Sequence, residues 1–250
     1  MKIAVSGKGG VGKTMISANL AKLFAKNGYH VLAVDADPDS CLGFALGIDD
    51  ALLESIVPIG NKEDLIREKM GEGAMFSLNP IVDDITDRFS IDTGSGIRFI
   101  RMGGIKKGGE SCYCRENSFL QAVVSSLILD TKDVVIMDMG AGIEHLTRGT
   151  SSGMDLMIVV VEPGKSSVQT GRTVQRLAHD VGVKKVVFIA NKVRSSHDED
   201  FLRQNFSGEE LLGMIHYNDT IALKGMGEGQ TPNEIDDPEI ESVLTRVLSA

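Results

Sequence analysis

The chain has 250 residues, 42% of them hydrophobic and 24% charged, with a formal net charge of −9. That length and apolar content support one sizeable core, and the acidic balance argues against free nucleic acid, whose phosphates are held by basic stripes. No apolar run is long enough to span a bilayer, and the apolar start KIAVSG leads into a glycine loop rather than a leader cleavage site. The expected setting is therefore cytoplasmic, with no membrane partner.

In chain order, Lys2 to Val5 reads as a strand and Thr14 to Asn27 as a helix with apolar residues at helical spacing, capped by Gly28. His30 to Val34 is the next strand. Ile59 to Glu116 is irregular, rich in glycine and charge, with a weak strand at Ile97–Arg101; Gly103 to Asn117 reads as a loop. Then come a helix at Ser118–Leu129, strands at Val134–Met137 and Leu156–Val161, and a helix at Ser166–Val181. The chain closes with a strand at Val186–Ala190, a helix at Asp198–Asn205, a strand at Leu211–Ile215 and a helix at Glu239–Leu248. Unbroken apolar strands such as VVIM, MIVVV and VVFIA are those of a parallel sheet buried on both faces. The expectation is an α/β fold: one three-layer domain over residues 1–250, a mainly parallel sheet flanked by helices, with an irregular elaboration at about 59–117.

Between the first strand and first helix, Gly7 to Thr14 spell GKGGVGKT, matching G-x-x-x-x-G-K-[ST]. Such a loop turns backbone N–H groups inward onto phosphate oxygens, and the helix that follows offers its positive end. Lys13 supplies charge to the β- and γ-phosphates and the Thr14 hydroxyl can ligate Mg²⁺. The nucleotide-binding set is Gly9, Gly10, Val11, Gly12, Lys13, Thr14 and Met15. The second lysine, Lys8, makes the loop resemble the deviant Walker A motif of the MinD/ParA/nitrogenase-iron-protein class of P-loop ATPases. The resemblance implies that Lys8 reaches the partner's nucleotide across a homodimer, as an arginine finger does.

VLAVDADPDS puts Asp35 and Asp37 at the end of the second strand, where ligands of such sheets bind. By resemblance this is the class's first switch, with Asp37 orienting the attacking water and Asp35 supporting the magnesium site or the loop. VVIMDMGAG has the form of a Walker B strand: Asp138 would hold Mg²⁺ through water, with Gly140 and Gly142 in a mobile second switch. Asn191-Lys192 ends a later strand, where Asn191 resembles a base-reading residue and Lys192 can lay its stem along the base. Related GTPases carry N-K-x-D; Arg194 in the fourth place favours ATP over GTP.

Three cysteines are a poor disulfide framework. Cys112-Tyr113-Cys114 supplies two thiolates, whereas a closed soft-metal site usually takes four. Two copies related by the dimer axis that the Lys8 resemblance implies would complete the set. Thiolates select Zn²⁺, Fe–S clusters, Cu(I) or Ni²⁺. This P-loop with C-x-C ahead of the Walker B strand resembles the CooC-type accessory ATPases. That resemblance implies ATP/ADP and Mg²⁺, Ni²⁺ or Zn²⁺ at one ion per dimer, and nickel-containing carbon monoxide dehydrogenase as client. Two other readings stand beside it: a positioning ATPase of the MinD or ParA kind, and an iron–sulfur carrier. The acidic C-terminal stretch, with Glu234, Asp236, Asp237, Glu239 and Glu241, opposes docking on anionic lipid. Cys41, beside Leu42 and Phe44, is expected in buried packing, and His145 on the surface.

Overall fold

The computed structural model describes residues 1–71, 77, 80–103, 114–126, 132–140, 154–224, 234, 235 and 237–248, with only the backbone given for 114–117. Its elements are β1 (Lys2–Gly7), α1 (Lys13–Lys26), β2 (His30–Ala36), α2 (Leu42–Ala45), α3 (Asp50–Ser55), a 3₁₀ turn (Ile59–Asn61), α4 (Glu63–Met70) and α5 (Ile85–Phe89). There follow β3 (Ile91–Asp92), β4 (Ile97–Arg101), α6 (Cys114–Ser126), β5 (Asp133–Met139), β6 (Leu156–Val161) and α7 (Lys165–Asp180). The last are β7 (Lys185–Val193), α8 (Ser196–Asn205), β8 (Leu211–His216), α9 (Asp219–Lys224) and α10 (Pro238–Leu248).

The eight strands form one sheet in the order β3-β4-β2-β5-β1-β6-β7-β8. Every neighbouring pair is parallel except β3–β4. Strand β1 lies between β5 and β6, so the loop that leaves it opens at the middle of the carboxyl edge. Strand β6 is buried along its whole length, which is why its sequence is uniformly apolar rather than alternating. One face of the sheet packs on α1, α2 and α10 through Ile16, Leu20, Leu42 and Leu244. The other packs on α4, α6, α7 and α8 through Ile66, Phe119, Val174 and Leu202. Those are the three layers expected. Among the described residues, no helix is long and apolar enough to cross a membrane.

The described residues of the irregular elaboration hold more regular elements than its composition implies. Within it α4 buries Leu65, Ile66 and Met70, and α5 and the short antiparallel β3 lead into β4. These elements span eight residues or fewer, about two helical turns, too short to show a periodicity. The helix expected at Ser118–Leu129 begins earlier, at Cys114, and is described to Ser126. Cys41 corrects an expectation: it is exposed, not packed. It sits at the N-cap of α2, where the chain turns, and the following Leu42 takes the buried place instead.

Candidate functional site

The glycine loop is shaped by close backbone approach. Gly7 ends β1 at φ 144°, and a Cβ there would lie 2.3 Å from the carbonyl oxygen of Val160 on β6. Gly12, at φ 99°, precedes α1 in a left-handed conformation, and a Cβ there would strike the Asn191 amide nitrogen at 2.3 Å. No other residue type fits either place. Lys8, Gly9 and Gly10 are exposed, Val11 is buried, and Gly12, Thr14 and Met15 are half-buried. Lys13 opens α1 with its side chain largely buried and its ammonium 3.4 Å from the Lys8 carbonyl oxygen. That is a long contact for a full charge, easily exchanged for a phosphate oxygen. The α1 N-terminus carries no side-chain cap, so its first N–H groups face the loop with the positive end of the helix.

Beside the loop, register brings carboxylates together. Asp35 on β2 pairs with Asp138 on the adjacent β5, and Asp138 pairs with Val5 on β1. Both carboxylates are fully buried. Asp138 Oδ1 accepts the Ser17 hydroxyl at 3.0 Å from α1, and its Oδ2 is buried without a hydrogen-bond partner. Burial pushes the Asp138 pKa up to about 6, against the opposing pull of Thr14, Ser17 and the Lys13 charge. Asp35 accepts backbone N–H bonds from Leu42 and Asp37, each at 3.2 Å. Burial first, and then the neighbouring Asp138 charge, raise its pKa to about 7. Two adjacent buried carboxylates with one orphaned oxygen and a hydroxyl at Thr14 are a donor set suited to a hard cation. Asp37 lies just beyond, half-buried, its Oδ1 accepting the Asp39 N–H at 3.0 Å.

The far side of the loop is gripped by β7. The buried Asn191 side chain donates to the Val11 carbonyl at 2.8 Å, and the Lys192 ammonium donates to the Gly10 carbonyl at 2.5 Å while facing Glu162 at 3.8 Å. Lys192 holds a left-handed φ of 59°, a conformation that costs a non-glycine residue about 1–3 kcal/mol and persists where surrounding contacts impose it. By anchoring two carbonyls, this pair fixes the loop's conformation from the β7 side. Arg194 stacks over the Tyr217 ring with its guanidinium carbon 3.8 Å from the centroid. The buried carboxylates Asp35 and Asp138 lie on β2 and β5, to one side of β1.

Most of the expected site residues thus converge: Lys8, Gly9, Gly10, Val11, Gly12, Lys13, Thr14, Met15, Asp37, Asp138, Asn191 and Lys192 surround one mouth at the carboxyl edge. Gly142, His145 and Cys112 lie outside the described residues, and Cys114 is described only as the first residue of α6. Among the described residues, no group of three or more His, Cys, Asp or Glu is placed to hold a metal ion. Ser17 was not foreseen; its position one helical turn after Lys13 was the available signal. The grips of Asn191 and Lys192 on the loop carbonyls had no signal short of the strand order.

A family model described as the CobQ/CobB/MinD/ParA nucleotide binding domain matches residues 2–228. An uncharacterised ATP-binding protein of Methanocaldococcus jannaschii is 42% identical over 259 residues, covering 99% of this chain and 98% of that protein. The carbon monoxide dehydrogenase accessory protein CooC of Rhodospirillum rubrum is 40% identical over 225 residues, covering 88% of this chain and 85% of that one. Among solved structures, septum site-determining protein MinD of Pyrococcus horikoshii, complexed with Mg-ADP, superposes with a TM-score of 0.66 at 20% identity over 99% of this chain and 96% of that one. With the glycine loop, the paired carboxylates and the strand order already in place, these likenesses lead to one conclusion: the chain belongs to the CobQ/CobB/MinD/ParA nucleotide-binding family and is a P-loop ATPase.

Proposed function

We propose that two copies of this chain close around nucleotide, hold one soft metal ion, nickel foremost, between their Cys112-Tyr113-Cys114 pairs, and deliver it to a nickel-containing carbon monoxide dehydrogenase. The observation that carries this reading is the C-x-C pair in a chain with an exposed second loop lysine that is 40% identical to a carbon monoxide dehydrogenase accessory protein. Exposed Lys8 is free to serve a neighbouring chain, whereas buried Lys13 is committed to its own loop. The single-sided thiolate pair needs a second copy to reach four ligands.

In this account Lys13 and the loop N–H groups bind the β- and γ-phosphates of ATP. Thr14 and Asp138 would hold Mg²⁺, which when bound neutralises charge on those phosphates. Asp37, at the half-buried edge, orients the attacking water. Lys8 of each copy adds positive charge at the other copy's transferring phosphoryl group. Asn191 and Lys192 keep the loop in its binding form, and the Arg194–Tyr217 stack offers a flat surface beside the departing base. The cargo ion takes up thiolates, so its binding releases protons and strengthens as pH rises toward the thiol range.

Alanine at Cys112 or Cys114 removes half of the four-thiolate set across a dimer. Equilibrium dialysis with Ni²⁺ should show at least about a hundredfold weaker binding for either variant, since a two-thiolate remnant is an incomplete site. ATP hydrolysis should continue. Nickel binding equal to the parent's in both variants would sink the reading.

A further inference from the structure

Ser17 is a polar residue in an apolar place. It lies in the second turn of α1, fully buried, between Ile16 and Ala18 and one turn before Leu20 and Ala21, all of them buried as well. A buried hydroxyl costs free energy unless it is hydrogen-bonded. Alanine here would remove that cost and favour the helix more strongly. Helix formation and core packing therefore give no reason for a hydroxyl at this position.

The hydroxyl has two acceptors, each 3.0 Å away: the Lys13 carbonyl oxygen on its own helix and Asp138 Oδ1 on β5. The first contact is ordinary helix chemistry. Thr170 and Thr173 on α7 and Thr245 on α10 likewise donate to the carbonyl four residues earlier, at 3.0, 3.0 and 2.7 Å. The second contact differs in kind, since it joins the helix that begins at the phosphate lysine to a carboxylate 121 positions away in sequence. A hydroxyl carries one proton, and an ionised carboxylate is the stronger acceptor for it. Oδ1 is then held against α1, and the orphaned Oδ2 is the oxygen left open. Thr14, three residues before Ser17 and so on the same side of the helix, also hydrogen-bonds the Asp138 carboxylate.

We propose that Ser17 is a positioning residue for Mg²⁺: its hydroxyl fixes Asp138 Oδ1, so that Oδ2 is the oxygen presented to the cation beside the nucleotide phosphates. Mg²⁺ demands near-ideal octahedral geometry and is held through one or two carboxylates plus phosphates. A carboxylate free to rotate therefore holds it less well. The Ser17 side chain is fully buried and closed off from the nucleotide itself, so its loss is selective: metal affinity falls and metal-free nucleotide affinity does not. The proposal rests on the reading that Asp138 holds the cation.

The test uses the full chain carrying one ADP and follows Mn²⁺ binding by its electron paramagnetic resonance signal. Mn²⁺ takes the same oxygen ligands as Mg²⁺ and is poorly suited to thiolates. Ser17→Ala should bind Mn²⁺ about 10–100-fold more weakly than the parent, the usual cost of removing a hydrogen-bond partner from a metal-ligating group. Its affinity for a fluorescent ADP analogue in EDTA should not change, a split that a merely structural role would not give. Ser17→Thr, which keeps the hydroxyl, should bind Mn²⁺ close to the parent's strength. In an Asp138→Asn chain the added Ser17→Ala change should cost nothing further, because Ser17 acts through that carboxylate. Parental Mn²⁺ affinity in Ser17→Ala, an equal loss of metal-free ADP affinity, or a threonine variant no better than the alanine one overturns the proposal. Failure of the underlying reading shows separately, as parental Mn²⁺ affinity in Asp138→Asn itself.

Discussion

Replacing Asp138 with Asn should lower magnesium-dependent ATP hydrolysis by about 10²–10³-fold, the usual cost of removing one preorganised charge from a phosphoryl-transfer site. The variant should nonetheless melt at or above the parent's temperature. Asp138 is fully buried beside Asp35, its Oδ2 has no hydrogen-bond partner, and its pKa is already raised by burial. Asn keeps the shape and can still accept the Ser17 hydroxyl, while one of two adjacent buried charges disappears. Such a pair of results would mean that the parent gives up stability at this position for a cation-binding oxygen, as functional sites do. Steady-state hydrolysis at saturating Mg²⁺ and a thermal melt check both halves. A variant that hydrolyses normally, or that loses both activity and stability, would show that Asp138 is a packing residue.

A larger loss is expected from Lys8→Ala. A transition-state charge supplied in trans contributes about 10³–10⁵-fold in related phosphoryl transfers, so hydrolysis should fall by that order while nucleotide affinity changes by less than about threefold, an interaction made only in the transition state. Lys8 is exposed, so stability should change little. Mixing two inactive chains gives the sharper result. A Lys8→Ala chain retains Asp138, and an Asp138→Asn chain retains Lys8. A mixed dimer holds one complete site, so activity should return on mixing. If each chain uses its own lysine, the mixture stays inactive.

Much of this was legible in the sequence because the relevant signals are local. The bounds of β4 and β6 coincide with those read from apolar runs, and the glycine loop, Lys13 and Thr14 lie between a strand and a helix as the motif requires. What was not legible depends on strands distant in sequence becoming neighbours. Asp35, Asp138 and Arg101 form a row only because β2 is inserted between β4 and β5. Asn191 and Lys192 were expected beside the base; in the structure they also hydrogen-bond the Val11 and Gly10 carbonyls, contacts the sequence did not announce. Nothing in the local spelling NKVR distinguishes a donor aimed at a ligand from one aimed at the loop holding it. Cys41 failed for a related reason: apolar neighbours suggested burial, while a helix cap turned the thiol outward.

In the proposed mechanism nucleotide and a soft metal meet in one dimer. Native mass spectrometry of the full chain with Ni²⁺, in the presence and absence of Mg-ATP, reads oligomeric state and metal count together. The expected species is a dimer carrying one nickel ion, with loss of that ion when Cys112 is replaced by Ala. One nickel per chain in the monomer, indifferent to nucleotide, would contradict it.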